Sequence, residues 1–442
     1  MRKWCPVLFV AVLGALVVVG NSAADDQPGG GTGSLSPEAE KRISALEAEV
    51  KDLKESKEKE EDPNTLRFYW DKGLRAKTAD GNFSFKFGGR VMWDAQWFSQ
   101  DSANKTAYGD LEDGTEFRRV RLYFSGDIYK DFFFKLQTDF AGGNVALKDA
   151  YIGAKNIPFL GHVRLGHQKE PFGLEELTSS KYTTFIERSL PIEAFAPSRN
   201  AGVMVYNTMF DEKATWALGA FRDTDDTGMA LADRGYAVTG RVTACPWYAE
   251  KGARVLHLGV AYSHRVDPDG GARFRARPEC HLSTVRFVDT GTITPVDTVD
   301  LLGLEAALVF GPFSVQGEYF RAAVENTSDF DFDGWYVQAS YWLTGEHRKY
   351  DRGAGEFGRV SPKKNVSMNP GGWGAWELAA RYSRLDLNDR TIAGGKQDDV
   401  TVGVNWHLNP NMRVMFNYIR AMTDRPDQGD ADIFGMRFQV DF

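Results

Sequence analysis

Apolar and polar side chains alternate without interruption through residues 432–442, at the end of the chain. A β-strand with this period places every second residue on the same face, so one face is apolar and the other is polar. In a transmembrane barrel, lipid covers the apolar face and the polar face lines a water-filled lumen. The pattern therefore predicts a barrel strand with Phe434, Met436, Phe438, Val440 and Phe442 toward lipid and Gly435, Arg437, Gln439 and Asp441 toward the lumen.

The same two-residue period recurs along most of the chain from residue 81 onward. An even number of antiparallel strands is usual for single-chain bacterial barrels, and about sixteen strands enclose an aqueous channel. We therefore predict an all-β fold, a transmembrane antiparallel β-barrel of about 16 strands over residues 81–442. Its strands are expected near residues 83–98, 116–127, 131–141, 145–155, 161–168, 201–208, 214–222, 235–244, 253–265, 299–310, 313–325, 332–343, 375–387, 397–407, 411–421 and 432–442.

The lengths of the connections agree with a barrel that has short turns at one end and long loops at the other. The connection 169–200 is too rich in bulky residues for an unstructured loop, so we expect it to fold into the lumen and narrow it. Segment 344–374 is an exception, because it is long and yet falls at the short-turn end. The short turns are 128–130, 156–160, 209–213 and 408–410, and the long loops are 99–115, 169–200 and 266–298.

The first 24 residues have the three parts of a secretory signal peptide. Arg2 and Lys3 form the basic start, residues 7–19 are continuously aliphatic or small, and Ser22-Ala23-Ala24 offers a cleavage site. An apolar run of about thirteen residues is shorter than the roughly twenty that a membrane-spanning helix needs. We expect residues 1–24 to be a signal peptide and the glycine-rich residues 25–36 to be a linker. The final Phe442 also resembles the assembly signal of bacterial outer-membrane proteins.

Residues 37–62 show a helical pattern instead of a strand pattern. Ser36 can cap a helix and Pro37 suits its first position. Apolar residues then recur at the spacing of a coiled-coil seam, but about two heptads are marginal alone and would need an oligomer. Two interpretations remain open, a short periplasmic coiled coil or a charged, partly helical spacer, and residues 63–80 are expected to be a linker. The seam consists of Ile43, Leu46, Val50 and Leu53.

Cysteine and histidine usage argues against a metal centre. With Cys5 in the signal peptide, Cys245 and Cys280 remain, either as a pair or as isolated thiols. Neither these cysteines nor the seven histidines show the spacing of a metal site. No ordered triad and no phosphate-binding loop is framed by suitable secondary structure. We therefore expect no enzyme, no metal, no cofactor and no nucleic-acid partner.

A set of motifs centred on residues 166–197 is more specific. It runs through Gly166-His-Gln-Lys-Glu-Pro-Phe172, Leu174-Glu-Glu-Leu-Thr-Ser-Ser180, Glu187-Arg-Ser-Leu-Pro191 and Ala194-Phe-Ala-Pro197. Phe117-Arg-Arg-Val-Arg121, Trp376-Glu-Leu-Ala-Ala-Arg-Tyr-Ser383 and Gly403-Val-Asn-Trp-His-Leu-Asn-Pro410 accompany it. Together they resemble the phosphate-selective porin O and P family. The resemblance implies a trimeric outer-membrane porin of sixteen strands, narrowed by loops that enter from both ends, which would account for segment 344–374.

Basic side chains on the lumen face are candidates for anion binding, because charge-assisted donors stabilise a partly desolvated anion. The strand candidates are Lys86, Arg90, Arg119, Arg121, Lys135, Arg381, Arg413 and Arg437. The constriction loop adds Lys169, Glu175, Glu176, Lys181 and Arg188 as candidates. Segment 344–374 adds Arg348, Lys349, Arg352, Arg359, Lys363 and Lys364.

The overall charge weakens the case for anion selectivity. Acidic residues share the predicted lumen, and lumen charges often pair simply to hold the shape of a barrel. The chain carries a formal charge of −8, and residues 1–24 contribute +2 and residues 25–62 contribute −6, so −4 remains for residues 63–442. Net charge does not determine a local field, however. The acidic residues on the lumen face are Asp94, Asp139, Asp149, Glu377 and Asp441.

Two functions from different classes fit these patterns. The first is an outer-membrane porin for passive diffusion of small polar solutes or inorganic anions, with anion or phosphate selectivity as a narrower hypothesis. The second is a structural protein, in which the barrel is an outer-membrane anchor and the coiled coil contacts periplasmic partners. The sign and size of ion currents through the purified protein would distinguish them.

Overall fold

The structure is a computed structural model that describes residues 36–60, 62–231, 233–268, 271–326, 328–369, 371–424 and 428–442, with side chains described to residue 52 in the first range. The predicted signal peptide, residues 1–24, and residues 25–35 of the predicted linker lie outside these ranges. The chain divides into two compact units, and the boundary falls between Glu61 and Asp62. Each unit is described by itself below.

The first unit contains the helix α1, Pro37–Glu60. Ser36 caps its start, since the backbone N–H of Ala39 donates to the Ser36 hydroxyl at 3.3 Å. Three residues of the apolar seam, Ile43, Leu46 and Val50, are exposed, and the fourth, Leu53, lies outside the described side chains. In the described part of the chain, no helix is long and apolar enough to span a bilayer. Exposure of the seam in a single copy does not test an association between copies, so the coiled coil stays a prediction.

A β-hairpin opens the second unit and corrects the prediction that residues 63–80 are a linker. Its strands are β1, Leu66–Trp70, and β2, Leu74–Thr78. The turn is tight because Lys72 and Gly73 adopt φ values of 53° and 136°, which suit a glycine at the second position. The strand β2 also pairs with residues 84–87 of the following strand. Two strands of five residues carry too short an alternation to be distinguished from a linker by sequence pattern.

Within the described ranges, twenty further strands follow the hairpin. In chain order they are β3 Phe83–Gln100, β4 Gly114–Ile128, β5 Phe132–Asp139, β6 Ala146–Ile157, β7 Gly161–Lys169, β8 Arg199–Met209, β9 Ala214–Arg222, β10 Tyr236–Ala249, β11 Arg254–Val266, β12 Arg275–Ala276, β13 Val288–Asp289, β14 Thr298–Phe310, β15 Phe313–Glu325, β16 Phe330–Trp342, β17 Lys349–Asp351, β18 Glu356–Gly358, β19 Ala375–Asp389, β20 Ile392–Asn409, β21 Met412–Thr423 and β22 Asp430–Asp441. The short α-helices among them are α2 Ser102–Tyr108, α3 Leu174–Leu177 and α4 Leu190–Phe195.

Sixteen of these strands form a closed antiparallel barrel, which confirms the predicted fold class. The ladder runs from β3 through β11, then through β14, β15, β16 and β19 to β22. It closes because β22 pairs antiparallel with β3, with Arg437 opposite Asp94. The last residue joins the seam as well, since the Gly89 N–H donates to the carbonyl of Phe442 at 2.9 Å. A Cβ at Gly88 would lie 2.4 Å from that carbonyl oxygen, so the approach requires glycine there.

Three long connections fold into the barrel instead of over its rim. Residues 170–198 contain α3 and α4, residues 267–297 contain β12 and β13, and residues 343–374 contain β17 and β18. The first two pack an apolar cluster against the inner faces of β14, β15, β16 and β19, which fills that side of the lumen. The cluster includes Phe172, Leu190, Ile192, Phe195, Phe274, Leu301, Phe320, Phe332 and Leu385.

Candidate functional site

The opposite side of the lumen holds two open cavities. The upper cavity, of about 870 Å³, is lined by residues of β3 to β10 and of the inward connections 170–198 and 343–374. The lower cavity, of about 560 Å³, lies at the barrel end where β3 begins and β4 ends. The two cavities share part of their wall, which we call the neck. The six residues that line both cavities define it: Arg90, Lys135, Gln137, Tyr151, Ser179 and Tyr206.

Basic side chains outnumber acidic ones around the upper cavity. Five carboxylates line it, which are Asp149, Glu176, Asp225, Asp226 and Glu356. Eleven cations line it, which are Arg90, Arg118, Arg119, Arg121, Lys135, Lys148, Arg164, Lys169, Arg188, Arg199 and Arg241. Among the described residues, the wall of the cavity therefore carries an excess of cations, although the formal charge of residues 63–442 is negative.

Two of these arginines have no carboxylate partner among the described residues. Arg90 donates to the hydroxyls of Ser179 and Ser180, at 3.4 and 2.7 Å. The Arg164 guanidinium lies between two aromatic rings, 4.5 Å from the Tyr151 centroid and 4.9 Å from the Tyr206 centroid. The Nε atom of each arginine is buried and lacks a hydrogen-bond partner within the described ranges. Their positive charges therefore remain available to a solute.

Other cations around the upper cavity are held by fixed ion pairs. Lys135 and Arg199 both contact the Asp149 carboxylate, at 2.5 and 2.7 Å. Arg121 pairs with Asp139 at 2.6 Å. Lys169 and Arg188 share Glu176, at 3.1 and 3.2 Å. These pairs position the side chains of the wall. A paired cation attracts a solute less strongly than an unpaired arginine does.

Five of the eight predicted strand candidates line a cavity. Arg90, Arg119, Arg121 and Lys135 line the upper cavity. Lys86 lines the lower cavity, with its ammonium 5.7 Å from the centroid of the Tyr123 ring. All five lie where the alternation along β3, β4 and β5 places them.

The other three strand candidates face inward but line neither of the two cavities. Arg437 is fully buried, and it contacts Asp94 at 2.6 Å and Glu187 at 2.8 Å. Arg381 pairs with Glu279 and Glu175, and Arg413 donates to the Thr183 carbonyl at 2.8 Å. All three face the lumen, but residues 170–198 cover them. Alternation identifies the inner face, and it carries no information about which part of that face a distant loop covers.

The loop candidates also separate into two groups. Lys169, Glu176 and Arg188 line the upper cavity, and Lys181 lines the lower one. Burial, followed by repulsion from Arg90, lowers the pKa of Lys181 to about 7. Glu175 is the exception, because its carboxylate is buried against Ser189 at 2.9 Å and Arg381 at 3.2 Å. Glu175 therefore anchors the loop and does not border the passage.

Segment 343–374 enters from the barrel end where β22 terminates and reaches the upper cavity. Its tip contributes Gly353, Ala354 and Glu356 to the cavity wall. The Phe357 N–H donates to the Thr178 hydroxyl at 3.4 Å, so the two inward segments contact each other. The six basic candidates of this segment line neither of the two large cavities. Arg359 instead pairs with Asp441 of β22, and Arg348 lies over the Phe357 ring.

Sequence patterns missed several residues of the upper cavity. Arg118 faces inward beside Arg119 because the register between β3 and β4 shifts at Met92 and Trp93, which breaks the alternation. Arg164 and Tyr206 follow the regular alternation of β7 and β8, so that pattern could have identified them. Arg241 likewise follows the alternation of β10, and Arg199 is the first residue of β8.

Within the described residues, no group of three or more His, Cys, Asp or Glu side chains could hold a metal ion. Cys245 and Cys280 are both buried free thiols, which resolves the question of their pairing.

Comparison with known proteins identifies the family. The model of the family described as phosphate-selective porin O and P matches residues 85–442. Porin O of Pseudomonas aeruginosa is 27% identical over 83% of this chain and 89% of its own length. An uncharacterized protein of Caulobacter vibrioides is 32% identical over 82% of this chain and 75% of its own length.

Solved structures agree on the fold. An anion-selective porin from Comamonas acidovorans superposes with a TM-score of 0.54 at 15% identity, and the match covers 81% of this chain and all of that one. The barrel, the lumen geometry and the family match over residues 85–442 lead to one assignment. The chain belongs to the phosphate-selective porin O and P family and is an outer-membrane porin.

Proposed function

We propose that this porin is an anion-selective channel whose solutes cross through the upper cavity, the neck and the lower cavity. The excess of cations around the upper cavity is the observation that carries the proposal. In a narrow passage with low-dielectric walls, the nearest charges determine the field that an ion meets. The negative charge of the whole barrel therefore has less influence than the cations of the wall.

Arg90 and Arg164 have the clearest roles in this mechanism. An anion that enters the neck loses part of its hydration shell, and guanidinium N–H donors replace the lost hydrogen bonds. Because neither arginine is bound to a carboxylate, neither must break an ion pair to bind a solute. Paired residues such as Lys135 contribute a weaker attraction, which helps an anion to leave again. Transport is passive and follows the concentration gradient.

Phosphate is the narrower proposal within this class. The description of the family supports it, since that description names phosphate selectivity. The uncompensated donors of Arg90 and the adjacent Ser180 hydroxyl suit a tetrahedral oxyanion better than a spherical halide. Family and fold point to a channel and not to an enzyme.

Conductance of the purified protein in planar bilayers tests the proposal. In a potassium chloride gradient, the reversal potential should show that chloride permeates better than potassium. Arg164→Gln should reduce that preference, whereas Arg321→Gln should not, because Arg321 is exposed and paired with Asp331. Cation selectivity of the wild-type channel would contradict the anion proposal, and the absence of stepwise current would contradict a channel.

We also propose that α1 lies in the periplasm and joins copies of the porin into a homotrimer. The exposed seam of Ile43, Leu46 and Val50 supports this, because a coiled coil would bury it. Leu46→Cys should form disulfide cross-links between copies under oxidising conditions, and Glu47→Cys, beside the seam, should form fewer. Light scattering should give three copies per complex, and a monomer would contradict the proposal.

The same seam supports a second role, in which α1 contacts a periplasmic partner protein. In that case Leu46→Cys would cross-link to another protein in intact cells and would give no cross-linked porin after purification. Loss of α1 would then leave conductance unchanged, since the passage is built from residues of the second unit alone.

A further inference from the structure

Gln137 of β5 occupies an unusual position in the neck. Its side chain is 1% exposed and lines both cavities. In the barrel sheet it lies between Tyr123 of β4 and Asp149 of β6. Neither its Nε2 nor its Oε1 has a hydrogen-bond partner among the described residues. A buried amide with both ends unpaired is unfavourable, so a partner that the protein itself does not supply is expected.

The groups around Gln137 determine what that partner can be. Asp149 accepts from Lys135 and Arg199, and it accepts no hydrogen bond from the Gln137 amide. The buried Nε of Arg90 is a second donor without a partner in the described structure. The neck thus offers free N–H donors from Arg90 and Gln137, and a free neutral acceptor, the Gln137 carbonyl oxygen.

We propose that the neck binds an oxyanion that still carries a proton, and that Gln137 is the residue that selects it. The amide N–H of Gln137 and the guanidinium of Arg90 donate to the anionic oxygens, and Gln137 Oε1 accepts the O–H of the same ion. This inference rests on the proposed anion passage and adds the residue that would give this passage its preference for phosphate. Inorganic phosphate below its second pKa has such an O–H group, and sulfate has none.

The route through the barrel brings a solute to this amide. The neck residues line both cavities, so an ion that moves from one cavity to the other passes them. The long side chain of Arg90 and the hydroxyl of Ser179 can change rotamer, so a passing ion can displace them and reach Gln137. An apolar residue at position 137 would remove both the donor and the acceptor, and a carboxylate there would repel the anion.

Block of chloride current by two oxyanions provides the test. The full chain is studied in planar bilayers at about pH 5, where inorganic phosphate is the monoanion and sulfate is the dianion. Charge alone would favour the sulfate dianion over the phosphate monoanion in a basic neck. We expect the opposite order, with phosphate blocking at a concentration about tenfold lower than sulfate, because sulfate leaves Oε1 unpaired. Dimethyl phosphate, a monoanion without an O–H, should block as weakly as sulfate.

Two variants make the test specific to Gln137. Gln137→Leu should abolish the preference for phosphate block over sulfate block, because it removes both the donor and the acceptor. Gln338→Leu is the matched control, since Gln338 is a buried inner-face glutamine of β16 that lines neither cavity. It should keep the wild-type ratio. If Gln137→Leu does not fold, Gln137→Met removes the same polar groups with less change in the shape of the side chain.

The possible outcomes separate this inference from the proposed function. A wild-type channel that prefers chloride to potassium but is blocked equally by phosphate and sulfate would overturn the inference alone. The same holds if Gln137→Leu and Gln137→Met keep the wild-type ratio. Selectivity for potassium would overturn the anion channel itself. A selective loss of phosphate block in the two Gln137 variants would support the inference.

Discussion

At the scale of single residues, the pairing of each arginine decides its role. Arg90 and Arg437 both lie on the inner face, on the adjacent strands β3 and β22. In the described structure Arg90 donates to neutral hydroxyls, whereas Arg437 is bound by two carboxylates and the Ile186 carbonyl. The first is available to a solute and the second is part of the structure.

Arg90→Gln should therefore lower anion preference and leave folding intact. At about 4 Å in water, a unit charge attracts a monovalent anion by about 1 kcal/mol, so the chloride-to-potassium permeability ratio should fall about fivefold. Reversal potentials measure that ratio. A variant with the wild-type ratio would show that Arg90 does not act on permeating ions.

Arg437→Gln should instead destabilise the barrel. It leaves the carboxylates of Asp94 and Glu187 close together without the cation that joins them, and breaking a buried ion pair costs about 3–5 kcal/mol. Unfolding by urea in detergent, followed by the mobility of folded and unfolded protein on gels, measures this loss. Wild-type stability would contradict the structural role of Arg437.

Lys181 should make selectivity depend on pH. Its pKa is lowered to about 7, mainly by burial and then by Arg90; Lys86 and Arg359 also repel its charge, and Asp441 attracts it. The ammonium is charged below that pKa and neutral above it. Anion preference should therefore decrease as the pH rises from about 6 to about 8.

Reversal potentials across that pH range test the role of Lys181. Lys181→Gln should reduce the pH dependence and lower the permeability ratio at acidic pH. Lys155→Gln is the matched control, since Lys155 also lines the lower cavity but is paired with Asp127 at 2.8 Å. The control should keep the dependence on pH. A wild-type ratio that does not change with pH would refute this role.

At the scale of elements, the last strand holds the inward segment 343–374 in place. Arg359 of that segment pairs with Asp441 of β22 and also donates to the Pro410 carbonyl. Asp441→Asn should remove about 2 kcal/mol of docking free energy, which raises the undocked population about thirtyfold. The mean conductance and the open-channel noise should both increase, as single-channel recordings can show.

Asp432→Asn is the control for this prediction about segment 343–374. Asp432 lies on the same strand, but it bonds to Tyr418 and Arg420, away from the inward segment. The current through the Asp432→Asn channel should stay like that of the wild type. Equal noise in the two variants would mean that Asp441 does not anchor the segment.

The strands were predictable from sequence because their signal is local. Successive residues of a barrel strand face lipid and lumen in turn, so side chains such as Phe434 and Arg437 reveal the period without any tertiary information. The hairpin β1–β2 was not predictable, since each of its strands has five residues and β1 is exposed throughout. The bulge beside Arg118 was also invisible, because it depends on the register between two strands.

The site was only partly predictable for a related reason. Arg90 and Arg381 both occupy lumen-facing positions of an alternating sequence. Arg90 nevertheless lines the neck, whereas Arg381 lies under residues 170–198. Which positions a loop covers depends on contacts far apart in the chain, such as that between Arg413 and Thr183. The unpaired amide of Gln137 has no sequence signal at all.

At the scale of the whole molecule, the charge of the passage and the charge of the chain have opposite signs. Residues 63–442 carry a formal charge of −4, whereas the upper cavity has an excess of cations. If local charges determine selectivity, their effect should depend on the salt concentration, because salt limits the distance over which their field extends. The Debye length is about 10 Å at 0.1 M salt and about 3 Å at 1 M.

We therefore expect the strongest anion preference at low salt. The chloride-to-potassium permeability ratio should be greatest near 0.1 M potassium chloride and should decrease toward about one near 1 M, as screening shortens the field. Reversal potentials at a constant concentration ratio across the membrane measure this. A channel that becomes cation-selective at low salt would show that the acidic surface of the barrel, and not its basic cavity, determines which ions enter.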